Sequence, residues 1–360
     1  CAAPYPGRAR TPVELRADLA QALQLIPGRH RVDLHAIYGE FGDGVDRDRI
    51  GPEHFSGWIE WAREQQVGLD LNATCFGHPK TLRGFTLSSK NQSVRAFWVE
   101  HVRRCRRVAA AMGKALGSPS LHDLWIPDGC RDMTVDRSVR QELLRRSLDE
   151  IFADQYPSEE LIDALEPRLA GNGGAAFTPG SYDFYLGYAI QRNLHLCLGL
   201  SNFHPTESVA DKLPALLAFL PGLALRLSRG LRWDRGHPAI LNDPVREVAA
   251  EAVRAGALDR IRFGLDFLEP AMNRVGAWVV GARALLKALL SALLEPRNLL
   301  LAYEETGDAF ARLALLEEMK SMPLGAVWDY YCMVKEVPVS TEVIVAVEHY
   351  DREIRQARGG

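Results

Sequence analysis

Short apolar runs alternate with amphipathic stretches along the whole chain. The sequence Thr11-Pro12-Val13-Glu14 predicts the start of a helix, in which Thr11 is the N-cap residue and Glu14 completes a capping box. This helix is expected to continue to about Pro27. Apolar runs of this length, bounded by turn residues, are typical of strands buried in a parallel sheet. The seven runs are 31–38, 67–76, 121–127, 161–169, 194–200, 223–228 and 260–267. Helical patterns occupy 52–66, 91–116, 139–152, 181–192, 206–220 and 244–254.

The regular alternation of strands and helices predicts an α/β barrel. Such barrels close best with eight strands, and the sequence contains only seven strand-like runs. We expect the remaining strand to lie upstream of Cys1, and therefore predict that the chain is a fragment. Residues 1–268 form the predicted barrel domain, and two or three helices in 269–360 complete the barrel and pack in an oligomer. A loop is expected at 230–238. An open doubly wound sheet is the alternative, although no GxGxxG turn follows the first strand.

The composition of the chain limits the kinds of partner that it is expected to bind. The formal net charge of −3 gives no general attraction to nucleic acids or acidic membranes. The basic run Arg103–Arg107 fits a solvated helix face better than an anion site. Six cysteines lie apart without CxxC spacing, which suits a reducing cytoplasm. The apolar stretch 277–294 is interrupted by Arg283 and Lys287, so it is read as a core helix and not a membrane span.

Polar residues follow the carboxyl ends of several predicted strands, where an α/β barrel keeps its chemistry. Four strand-end residues mark the predicted site: the carboxylates Glu166 and Asp266, the arginine Arg226, and Gly199, which has no side chain. Taken singly, each has an ordinary structural explanation, such as a helix cap for Asp266. Buried carboxylates at several strand ends are costly without a cation, and the candidates are a metal ion, an arginine or a proton.

Several motifs resemble those of the L-rhamnose isomerase family, from about residue 4 to the end of the chain. They include DLHAIY, PEHFSGWIEWA, LWIPDG, NFHPTE, GLDF and NRVGAWVVGARALLKALLSALLEP. The resemblance implies a (β/α)8 TIM barrel of the xylose-isomerase-like type with a C-terminal helical extension. It also implies a cytoplasmic homotetramer that uses Mn²⁺ to interconvert L-rhamnose and L-rhamnulose.

The family's metal positions are only partly kept in this sequence. By resemblance, Glu166 and Asp266 are retained ligand positions, whereas Gly199, Arg226 and Gly236 stand where the family has ligands. Glycine has no side chain to offer, and a guanidinium donates hydrogen bonds and repels a metal ion. Manganese binding is therefore expected to be weak or absent.

The resemblance also assigns catalytic and sugar-binding positions. Asp234 is a retained catalytic position, Asn202 replaces a histidine, and Arg168 replaces a lysine that assists the reaction. His35 and Trp125 match positions that contact the sugar, L-rhamnose or a similar molecule.

The substitutions suggest an exchange of metal for guanidinium. Arginine is always charged and can bridge two carboxylates, so Arg226 is predicted to pair with Glu166 and Asp266. Three carboxylates with a divalent cation carry a charge of −1, as do these three residues together. Without metals, isomerase activity is expected to be low or absent, as in a pseudoenzyme. The alternative is a metal-free, non-catalytic homologue that binds sugar or acts as a scaffold.

Overall fold

The structure is a computed structural model that describes residues 5–42, 44–81, 83–168, 175–204, 206–231, 234–267 and 272–358. Seven strands pair in parallel in one sheet, and two others form an antiparallel hairpin beside it. The parallel strands, in sheet order, are β1 (Arg31–His35), β2 (Gly68–Asn72), β3 (Ser120–Trp125), β4 (Leu161–Glu166), β5 (His195–Gly199), β6 (Leu223–Leu227) and β9 (Ile261–Leu265). The hairpin strands are β7 (Arg229–Leu231) and β8 (Asp234–His237).

Helices connect the parallel strands and cover the outside of the sheet. They are α1 (Pro12–Leu23), α2 (Ser56–Gln65), α3 (Gln92–Leu116), α4 (Arg137–Ile151), α5 (Tyr182–Arg192), α6 (Leu213–Leu217) and α7 (Asp243–Arg254). The predicted capping box of α1 is confirmed, because the Glu14 amide donates to Thr11 Oγ1 at 3.2 Å. The nearly closed parallel sheet with outer helices confirms the predicted TIM-barrel class.

Three sequence predictions of local structure are wrong. The helix expected over 206–220 is reduced to a 3₁₀ turn, Ala210–Lys212, and the short α6. The loop expected at 230–238 contains the hairpin β7–β8, whose short polar strands lack an apolar pattern. Among the described residues after the barrel there are five helices instead of two or three, because Pro296, Gly307 and Pro323 divide that region. They are α8 (Arg274–Leu293), α9 (Arg297–Glu305), α10 (Ala309–Ser321), α11 (Leu324–Val334) and α12 (Glu342–Ala357).

The side chains of the parallel strands point alternately to the helices and to the barrel interior. The outward residues, such as Leu69 and Leu165, join the main hydrophobic core beneath the helices. A smaller interior cluster of Leu121, Ala164, Cys197 and Ala224 fills the middle of the barrel. This apolar layer lies beneath the polar site, which is at the carboxyl ends of the strands.

Helix α8 attaches the C-terminal helices to the barrel. Its Val275 and Val279 pack on Leu25 and Ile26 after α1. The buried guanidinium of Arg283 donates to the carbonyl oxygens of Leu25 at 2.9 Å and Pro338 at 3.1 Å. Helix α8 is long and apolar enough to cross a membrane, but half of its apolar window is buried inside the protein, as expected for a core helix. The division at residue 268 between a barrel domain and a C-terminal helical region stays a prediction.

Candidate active site at the carboxyl ends of the strands

A single arginine lies among the acidic side chains of the barrel interior. Arg226 on β6 is 6% exposed, and its Nη2 atom lies 3.1 Å from Oδ2 of Asp123 on β3 and 2.5 Å from Oδ2 of Asp33 on β1. Although burial opposes its charge, Asp33 and Asp123 raise the pKa of Arg226 further above its usual range. The guanidinium is therefore a permanent cation that links β6 to β1 and β3 across the barrel interior.

The expected direct pairing of Arg226 with Glu166 and Asp266 is wrong. Within the described ranges, its ion-pair partners are Asp33 and Asp123, because the long side chain reaches across the barrel towards β1 and β3. Glu166 and Asp266 remain close enough for their charges to interact with Arg226. The guanidinium thus interacts with a larger set of carboxylates than the sequence indicated.

Glu166 is buried at the end of β4 and has two polar neighbours. A carboxylate oxygen of Glu166 lies within 4.8 Å of one of Asp123, and Oε1 of Glu166 accepts a hydrogen bond from Nδ2 of Asn202 at 3.2 Å. Burial, followed by the charges of Asp123 and Asp266, raises the pKa of Glu166 well above its ordinary value. The surroundings of Glu166 therefore favour its protonated form.

Two glycines leave the space that the polar side chains of the site occupy. An ideal Cβ atom at Gly199 would lie 2.4 Å from Nδ2 of Asn202, and one at Gly264 would lie 2.5 Å from Nη1 of Arg226. Real side chains do not approach so closely. The positions of Asn202 and Arg226 therefore depend on glycine at 199 and 264.

Aromatic rings form one side of the barrel mouth. His35 packs edge to face against Tyr38 and Phe76, with ring centroids 5.6 and 5.9 Å apart, and Phe76 packs in the same way on Trp125 at 5.5 Å. Nδ1 of His35 is hydrogen-bonded to Oγ1 of Thr74 at 3.1 Å. Burial and the charge of Arg226 lower the pKa of His35, so the ring is neutral at pH 7. This half-buried surface suits the apolar face of a sugar ring.

The remaining predicted residues lie around this centre. Arg168 follows β4 and lines a cavity together with Gly199 and Asn202. Asp266 follows β9, is exposed to solvent, and its amide donates to the carbonyl of Leu227 at 3.0 Å. Asp234 and Gly236 belong to β8, and the side chain of Asp234 lies outside the described part.

Sequence reasoning missed the acidic partners of Arg226. Asp33 precedes His35 by two residues and Asp123 precedes Trp125 by two, so each shares a strand face with a predicted site residue. This period-two alternation was the available signal. Cys197 belongs to the buried interior cluster, and its sulfur and carboxylate oxygens of Asp123 and Glu166 all lie within 4.8 Å of one another.

Fold and site together define an α/β-barrel protein with a polar centre at the strand ends. Among solved structures, a D-tagatose 3-epimerase-like protein matches with a TM-score of 0.51 and 15% identity, over 74% of this chain and 90% of that one. An L-ribulose 3-epimerase matches with a TM-score of 0.51 and 13% identity, over 81% of this chain and 94% of that one. These likenesses support the fold alone.

Sequence comparison gives the family. The family model described as L-rhamnose isomerase (RhaA) matches residues 1–358. The L-rhamnose isomerase of Rhodopirellula baltica is 48% identical over 98% of this chain and 83% of its own length. That of Escherichia coli O9:H4 is 48% identical over 99% of this chain and 85% of its own length. The chain belongs to the L-rhamnose isomerase family, whose members are isomerases.

Proposed function

We propose that this family member binds L-rhamnose or a similar sugar at a site where Arg226 replaces the divalent cation, and that its L-rhamnose isomerase activity is very low or absent. The observation that carries the proposal is the position of the guanidinium, whose Nη2 lies within ion-pair distance of both Asp33 and Asp123. A metal ion in the same place would meet a fixed positive charge.

The described side chains do not fit a manganese ion. Mn²⁺ prefers several oxygen or imidazole ligands, and a thiol is a poor match for it. The candidate set that the described residues offer, Asp123, Glu166 and Cys197, includes a carboxyl and a thiol whose pKa values burial raises well above their usual values. Gly199 and Gly236, at two positions where the family has ligands, provide no side-chain donor.

Low activity follows from this poor fit. In metal-dependent aldose–ketose isomerases the ions hold and polarise the substrate oxygens, and a site without them loses that contribution to lowering the barrier. Arg168 retains the charge of the family's lysine but does not exchange a proton near neutral pH. The chain keeps residues suited to holding a sugar, including His35 and Trp125, without an evident group to replace the metals.

Metal analysis and activity measured on the same protein test the proposal. The chain is purified, equilibrated with Mn²⁺, desalted and examined by elemental analysis, and ketose formation from L-rhamnose is followed with and without added Mn²⁺. We expect substoichiometric manganese and little ketose. One tightly bound manganese per chain, or turnover like that of an active relative run in parallel, would overturn the proposal.

A non-catalytic sugar-binding homologue is the second candidate. The aromatic surface of His35, Phe76 and Trp125 favours it, because this surface requires no metal to hold a sugar ring. Calorimetric titration with L-rhamnose, with and without Mn²⁺, separates the two candidates from a scaffold. Binding without ketose formation supports the homologue that only binds, whereas no binding under either condition favours a scaffold.

We also propose a homo-oligomer located in the cytoplasm. The C-terminal helices expose large apolar side chains, among them Phe310 at 82% and Leu313 at 61%, and a second copy of the chain would cover them. The cysteines described, Cys75, Cys105, Cys130, Cys197 and Cys332, are all free thiols, which agrees with a reducing compartment.

A further inference from the structure

A cavity of about 220 Å³ lies beside the acid cluster, between the ends of β4 and β5 and the start of α5. Arg168, Tyr182, Gly199 and Asn202 are among its lining residues. The volume is below the range of about 300–1,000 Å³ that is usual for drug-sized ligands, so it suits a monosaccharide or part of one. Asn202, which is hydrogen-bonded to Glu166, joins the cavity to the centre of the site.

Arg168 brings an uncompensated charge to this cavity. Its backbone amide donates to the carbonyl of Gly180 at 3.0 Å, but within the described ranges its half-buried guanidinium has no ion pair or hydrogen bond. The charge of Asp128 acts on Arg168 without a hydrogen bond between the two side chains among the described residues. A half-buried guanidinium without a partner is unfavourable, and an anionic group in the cavity would remove that cost.

The acidic residues of the cavity do not fulfil this role. Asp183 and Glu207 lie at its solvent-exposed rim. Glu207 accepts a hydrogen bond from Nζ of Lys212 at 2.8 Å, which compensates its charge. The inner wall thus keeps a cation, while the negative charges remain in water, where they are screened.

We propose that this cavity receives the carboxylate or phosphate group of an acidic monosaccharide, held by the guanidinium of Arg168. The planar fork of arginine forms paired hydrogen bonds with either group. The amide of Asn202 and the rings of Tyr182 and Phe203 supply the polar and apolar contacts that a sugar skeleton needs. The inference rests on the proposed metal-free sugar site and names the substrate class of that site.

Calorimetry on the full chain tests the inference in metal-free buffer at low ionic strength. The probes are L-rhamnose, its aldonic acid L-rhamnonate, L-rhamnose 1-phosphate and inorganic phosphate. We expect at least one acidic sugar to bind about tenfold or more tightly than L-rhamnose, because a charged hydrogen bond contributes about 1.5–3 kcal/mol. The two acidic sugars distinguish a carboxylate from a phosphate ligand.

Variants assign the effect to Arg168. Arg168→Gln is expected to abolish the preference for acidic sugars, and Arg168→Lys to weaken it because the paired geometry is lost. Arg107→Gln, which removes the same charge from the exposed face of α3, is the matched control and should retain the preference. Thermal unfolding establishes that each variant is folded.

Three results would overturn the inference: equal affinity for neutral and acidic sugars, a preference that survives in Arg168→Gln, or inorganic phosphate binding as tightly as the sugar phosphate. The last result would remove the monosaccharide assignment. These readouts are independent of manganese content and ketose formation, so a failure here is distinguishable from a failure of the proposed function.

Discussion

The side-chain amide of Asn202 occupies the space that a side chain at position 199 would need. The Nδ2 atom lies 2.4 Å from an ideal Cβ atom on Gly199 and donates to Glu166 at 3.2 Å. Gly199 and Asn202 therefore form one packing arrangement, in which the absence of a side chain at 199 permits the amide contact with Glu166. A change at either position alone disturbs the other.

The first prediction concerns this packing pair. Gly199→Asp should lower the free energy of unfolding by about 1–3 kcal/mol, because the new side chain overlaps the amide of Asn202. Adding Asn202→Ala should restore much of that loss, and urea unfolding of the two single variants and the double variant measures the coupling. Gly199→Asn is the uncharged control of similar shape. Additive effects of the two changes would contradict the steric explanation.

The second prediction concerns the built-in cation. Arg226→Met should cost about 3–5 kcal/mol at pH 7, because Asp33 and Asp123 lose their counter-charge inside the barrel. Burial raises the pKa of Asp33 to about 7 although the charge of Arg226 lowers it, so loss of the cation raises the folded-state pKa of carboxyls like Asp33 still further above the unfolded value. Their stabilising contribution is then greatest at low pH and is lost as the pH rises. The stability that Arg226→Met loses relative to the unmodified chain should therefore become smaller towards pH 5.

Urea unfolding at pH 7 and pH 5 measures both effects. Arg192→Met is the matched control, since Arg192 pairs with Asp149 on the surface and should cost about 1 kcal/mol or less. A deficit in Arg226→Met no larger than in this control, or one that grows on acidification, would refute the assigned role of the guanidinium.

The third prediction is acid sensitivity at the lower end of the barrel. Burial, with the charges of Arg262 and Arg260, lowers the pKa of His195 to about 4. A histidine with a lowered folded-state pKa stabilises the protein fully above its unfolded pKa of about 6.5, and this contribution is lost as the pH falls towards 4. The loss amounts to roughly 3 kcal/mol at most.

His195→Gln should therefore flatten the decline in stability between pH 7 and pH 4.5, as followed by urea midpoints. His349→Gln, at an exposed position on α12, should leave the pH dependence unchanged. If both variants decline as steeply as the unmodified chain, then His195 is not the source of the acid sensitivity.

The fourth prediction concerns self-association through the C-terminal helices. Phe310→Arg places a charge on the exposed apolar surface of α10 and should shift the protein towards smaller species in analytical ultracentrifugation. Val135→Arg makes the same change at an equally exposed position before α4 and should have no such effect. A monomeric unmodified chain, or an unaffected Phe310→Arg oligomer, would contradict the proposed interface.

The repeating strand–helix pattern was readable from the sequence because buried parallel strands give continuous apolar runs. The site was readable only in part. Glu166 and Arg226 were found as polar residues at strand ends, whereas Asp33 and Asp123 were passed over inside apolar strands. Which carboxylates Arg226 reaches depends on the barrel diameter and the length of its side chain, and no local pattern encodes that distance.

The hairpin and the C-terminal helices illustrate a different limit. Strands β7 and β8 are short and polar, so they carry no periodic signal. Helices α9 to α12 are divided by proline and glycine, whereas the apolar pattern predicted two or three helices after the barrel. The resemblance to a known family supplied the function that neither pattern could give.

In the part of the chain that the structure describes, the edge strands of the parallel sheet have backbone amides that no neighbouring strand protects. Within the described residues, β1 pairs only with β2, and β9 pairs only with β6, so each has one side without a strand neighbour. Amide hydrogens on those sides should exchange with solvent deuterium far sooner than those of β3 and β4 in the middle of the sheet.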